Sequence, residues 1–99
     1  MARAAQQQLE LTRLAAHQRI GKELLRVNAD QQRMRIAAAR KEVDRWESAG
    51  LCSADYVERW RAWLAFPVPR LVALMCSDAE GWGQAMRQNS PFAAAPARP

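Results

Sequence analysis

Ninety-nine residues, 49% hydrophobic and 25% charged, with a formal net charge of +5 carried mostly by arginine, describe one small basic globular chain. The size excludes two independent cores, and the mixture of apolar and charged residues excludes global disorder. No apolar run approaches the roughly 18 residues that cross a bilayer, and the N-terminus has no signal-peptide core, so a cytoplasmic location away from membranes is expected.

The stretch from Ala2 to Glu47 has no proline and one glycine, Gly21, and is rich in the residues that lose least on entering a helix. It reads as a single helix, which at roughly 1.5 Å per residue would run about 65 to 70 Å. On a helical wheel Leu9, Ile20, Leu24, Val27 and Met34 share one stripe, and Leu11, Leu14, Leu25, Ile36, Val43 and Trp46 a second. A polar strip of Arg19, Lys22, Arg26, Arg33 and Arg40 runs between them on the far side. Gly21, Asn28, Gln32 and Arg35 interrupt any continuous heptad seam, so a short bundle-type contact fits better than a long coiled coil.

Ser48, Ala49 and Gly50 stop this helix, with glycine in the left-handed cap and Leu51 folding back. Ser53 offers the next N-cap and Asp55 a first-turn charge; Tyr56, Val57, Trp60, Trp63 and Leu64 then recur as a buried helical face. Pro67 ends that helix and Pro69 opens a third, which buries Leu71, Val72, Leu74 and Met75. Ser77 and Glu80 have the spacing of a capping box for a fourth helix over Asp78–Gln88, burying Trp82, Ala85 and Met86. Residues 93–99 read as a disordered tail.

Catalysis requires an acid, base or nucleophile held by a partner, and no such set is apparent. His17, the only histidine, falls on the exposed arm. Cys52 and Cys76 stand apart without metal-ligand spacing, so reduced, buried thiols are expected and neither a metal nor another cofactor. The basic strip could follow phosphates, although Glu23 with Arg26, and Asp30 with Arg26 and Arg33, are spaced for intrahelical ion pairs. Pro69 to Gln88 has the length of a helix-turn-helix, with Gln84, Arg87, Gln88 and Asn89 able to bond base edges. Asp78 then stands where that motif buries an apolar residue. Trp46, Trp60 and Trp63 are spaced for the centre of a core rather than a stacking platform.

The run Trp82, Gly83, Gln84, Ala85, Met86, Arg87, Gln88, Asn89, Ser90, Pro91, Phe92, preceded by Tyr56, Trp60 and Leu64, resembles the end of short uncharacterised bacterial proteins that finish in an Arg-Gln-Asn-Ser-Pro-Phe segment. The resemblance leaves out the N-terminal half. It implies a recurring helix stop, with Arg87 and Asn89 placed to hydrogen-bond a chain terminus or a partner, and it implies no activity.

The expected fold is all-α, a long N-terminal helix with three short helices packed on its C-terminal end. Its parts are a helical arm over residues 1–35, a small helical domain over 36–92 and the tail over 93–99. The expected function is a non-enzymatic protein–protein interaction module, without a small-molecule substrate, that binds itself or a protein partner through Leu9, Leu14, Ile20, Leu24, Val27 and Met34. The alternative is a basic DNA-binding regulator of the antitoxin kind, contacting nucleic acid through Arg19, Lys22, Arg26, Arg33, Arg40, Gln84 and Arg87.

Overall fold

A computed structural model describes residues 2–92, so the tail expected over 93–99 lies outside the described residues. The fold is all-α: α1 (Ala2–Arg26), α2 (Ala29–Ser48), α3 (Ala54–Ala65), α4 (Val68–Met75) and α5 (Gly83–Gln88). The long N-terminal helix is α1, and the shorter helices pack against it.

The helix expected over Ala2–Glu47 is interrupted at Val27 and Asn28. Asn28 has extended backbone, and its side chain accepts the Gln31 N–H at 2.9 Å, which is an N-cap opening α2. Asp30 adds a favourable charge to the new first turn. From the other side of the joint, Gln32 Nε2 donates to the Leu24 carbonyl at 2.7 Å, satisfying an orphan acceptor at the end of α1. The largest dimension is therefore 44 Å, close to the roughly 37 Å that 25 helical residues span. The overhang is confined to the start of α1, where residues 3–9 are all exposed.

Past the joint the two helices take different partners. α2 packs on α3, while α1 packs on α4 and α5. The core lies between these layers, formed by Leu24 of α1, Val43 and Trp46 of α2, Val57, Trp60, Trp63 and Leu64 of α3, Leu71 and Met75 of α4, and Met86 of α5. Trp60 and Trp63 meet edge-on with centroids 5.3 Å apart, so the expected tryptophan centre forms. Gly21 is buried in the α1–α4 contact, where an added Cβ would come 2.8 Å from Val72 Cγ1.

The turn after α2 closes as expected in its backbone: Gly50 takes φ 65°, and Leu51 N–H donates to the Trp46 carbonyl at 2.9 Å. The Leu51 side chain nevertheless stays exposed. Ser53 occupies the N-cap position of α3 without a side-chain cap bond.

The helix expected over Asp78–Gln88 is shorter, because the Ser77–Glu80 capping box does not form. The Ser77 hydroxyl donates instead to the Ala73 carbonyl at 2.8 Å, and Gly81 turns at φ 82°. Trp82 therefore stays outside the core, 38% exposed, with the Arg59 guanidinium 3.7 Å from its ring centroid.

Candidate functional site

Because α1 and α2 diverge from Asn28, a cavity of about 730 Å³ opens between them. Its floor is apolar, built from Ile20 and Leu24 of α1 and Ala38 and Ala39 of α2. Its rim is charged. Arg35 of α2 reaches Glu23 of α1 at 3.3 Å, spanning the narrow end, while Arg45 pairs with Glu42 at 2.7 Å along α2. Hydrogen bonding from Arg26 holds the Glu23 carboxyl below its usual range, with Arg35 acting in the same direction. Glu42 is lowered chiefly by Arg45, and it also accepts the Trp46 indole N–H at 2.9 Å. Arg19 stands on the same rim on the α1 side.

Pro91 and Phe92 close one wall, and they are held by an arrangement that sequence patterning did not reveal. His17, expected on the exposed arm, is fully buried. Its Nδ1 lies 2.7 Å from the Arg13 carbonyl, and its Nε2 lies 2.8 Å from Ser90 Oγ. A carbonyl only accepts, so Nδ1 carries the proton and Nε2 accepts from the Ser90 hydroxyl. The Ser90 oxygen in turn accepts the Phe92 N–H at 3.2 Å. Trp60 adds a second tie, donating Nε1–H to the Asn89 carbonyl at 2.7 Å while its ring meets Phe92 edge-on. Burial lowers the His17 pKa, the Arg13 carbonyl opposes that shift, and the nearby Arg87 charge lowers it further. Although the histidine faces a serine oxygen, Ser90 is itself buried and its hydroxyl is committed on both sides, so the pair fastens the chain end to α1.

The neighbouring polar groups are also structural. The Cys76 thiol donates to the His17 carbonyl at 3.2 Å, and burial pushes its pKa up. Arg87, proposed above for base contacts, is only 4% exposed. Its Nη1 donates to the Met75 and Ser77 carbonyls, each at 3.2 Å, and its Nη2 to Asp78 at 3.1 Å. It thus caps the C-terminal end of α4. The Ser77 carbonyl it bonds also fills the space beside Gly83, where an added Cβ would collide with that oxygen, so the position admits no side chain.

The other expected site residues are dispersed. Leu24 belongs to the core, Ile20 lines the groove and Val27 is half-buried at the joint. Leu14 is half-buried beside α5, whereas Leu9 and Met34, the latter 70% exposed, face solvent. The interrupted helix also splits the basic strip. Arg19, Lys22 and Arg26 lie on α1 and Arg33 and Arg40 on α2. Arg26 pairs with Glu23, Arg33 pairs with Asp30, and Arg40 donates to the Leu64 carbonyl at the end of α3. Gln84 is exposed on α5.

No protein-family model, curated protein or solved structure matches this chain. The groove and its latched wall are therefore read on their own chemistry. Among the described residues, no three His, Cys, Asp or Glu side chains gather as a metal ion would require. No helix among them is long and apolar enough to cross a membrane.

Proposed function

We propose that this chain is a non-enzymatic protein-interaction module that receives an amphipathic helix in the groove between α1 and α2. The observation that carries the reading is an open apolar floor between two helices adjacent in sequence, under a rim of arginine and glutamate. Docking of a helix in a groove uses apolar anchors at three- and four-residue spacing, and the small Ala38 and Ala39 let a partner backbone approach. Arg19 on the rim favours an acidic residue beside those anchors. Compared with the contact expected from sequence, the surface keeps Ile20 and gains α2, while Leu24 serves as floor.

The reading is tested by selecting binders from a library of amphipathic helical peptides and measuring their affinity by calorimetry. Ala38→Trp should fill the groove and weaken binding by roughly tenfold or more, a loss of about 1.4 kcal/mol, without loss of helix. Equal affinity for the native chain and the filled one would refute the groove. A second copy of the chain is one source of such a helix, and sedimentation with and without Ala38→Trp identifies it. The DNA-binding alternative draws support from the +5 charge and the exposed Arg19 and Lys22. It requires duplex binding that persists at about 200 mM salt.

A further inference from the structure

His17 lies where α1 meets Cys76 of α4, Arg87 of α5 and Ser90 of the chain end. The groups facing it from those elements are a thiol, a guanidinium and a hydroxyl, and its other nitrogen bonds the Arg13 carbonyl on its own helix. No carboxylate is among these partners, and Asp78, the nearest acid to that cluster by bonding, is engaged by Arg87 Nη2.

The geometry points to a proton-operated latch: protonation of His17 releases Ser90 to Phe92 from α1 and removes one wall of the α1–α2 groove. The proton adds to Nε2, which then becomes a donor. The Ser90 hydroxyl hydrogen that pointed there must turn away, while the same oxygen still receives the Phe92 N–H. The result is a buried cation beside Arg87 with no opposite charge to meet it, and it is relieved by admitting water. α4 and α5 cannot yield cheaply, because they carry Leu71, Met75 and Met86 of the core. The segment from Asn89 to Phe92 is held by the Ser90 bond, the Trp60 indole bond, the Asn89 N–H bond to the Met86 carbonyl and the packing of a half-buried Phe92 on the core edge. It contributes none of the buried residues of the core cluster, so it opens first. Loss of that segment withdraws Pro91 and Phe92 from the groove, so acid would weaken helix docking there. Only this last consequence rests on the function proposed above.

The test is an NMR titration of the full chain from about pH 7.5 to 4.5, following the Trp60 indole N–H and the Phe92 amide, with circular dichroism as the check on global fold. Both signals should move toward solvent-exposed values together while helix content holds, with open over closed rising by up to about tenfold per pH unit from about pH 6.5 down to the lowered folded His17 pKa and levelling off below it. His17→Gln should remove the transition, and Ser90→Ala should shift both signals toward the open values already at neutral pH. The latch is refuted by signals that stay fixed across the titration. It is equally refuted by an identical transition in His17→Gln, or by movement only as all helix is lost. These signals need no partner, so failure of peptide docking at neutral pH would sink the groove reading and leave the latch result intact.

Discussion

A histidine with no exposed atom links folding to pH in a defined direction. The His17 pKa lies below its ordinary 6.5 in the folded chain, so the unfolded chain binds the proton more readily. The stability that depends on neutral His17 is fully present above about pH 6.5 and is lost as pH falls through the folded pKa. Each unit of depression corresponds to about 1.4 kcal/mol once pH is below both values. Thermal melts should therefore show a midpoint that falls on acidification below about pH 6.5, with His17→Gln less stable at neutral pH but flatter across that range. Parallel curves for the two proteins would assign the acid sensitivity elsewhere. His17 was legible in principle, standing three residues before Ile20 and seven before Leu24 on a buried stripe. Its partner Ser90 was not, because 73 residues separate the two and no periodicity relates a helix to a loop beyond the last helix.

Among the elements, the α1–α2 joint decides the most. Composition favoured an unbroken helix through Asn28, since neither proline nor glycine marks the break. The local signal was nevertheless present: Asn28 followed three residues later by Gln31, with Asp30 between, is a helix-start pattern set inside a helix-forming run. What propensity could not weigh is the gain from folding α2 back onto α3, where Val43, Trp46, Trp60 and Trp63 become buried. Asn28→Ala should cost about 1 kcal/mol in urea unfolding, the usual loss for an N-cap, while the two-helix arrangement persists through packing. A gain in stability on this substitution would show that the cap is not what sets the joint. The later helices illustrate the opposite case. The apolar spacing of α3 and α4 identified their buried faces, whereas the Ser77–Glu80 pattern overextended α5. The Ser77 hydroxyl is spent on the Ala73 carbonyl, Gly81 turns the chain, and Gly83 packs against the Ser77 carbonyl, so the helix begins later.

For the whole molecule, the all-α class followed from composition, but the shape did not, because one capped turn converts a 46-residue rod into a body 44 Å long. The groove is a product of that conversion. Neither α1 nor α2 has a recognisable docking motif alone, and one wall of the groove is supplied by Pro91 and Phe92, more than 40 residues beyond the end of α2. The distribution of the four tryptophans has an optical consequence. Trp46, Trp60 and Trp63 are buried and Trp82 is exposed under Arg59. Steady-state emission should therefore contain a blue, quencher-resistant component and a smaller red component that iodide, drawn toward the nearby guanidinium, reaches readily. Trp82→Phe should remove only the second component, leaving an intrinsic fluorophore set that reports core opening without any attached label.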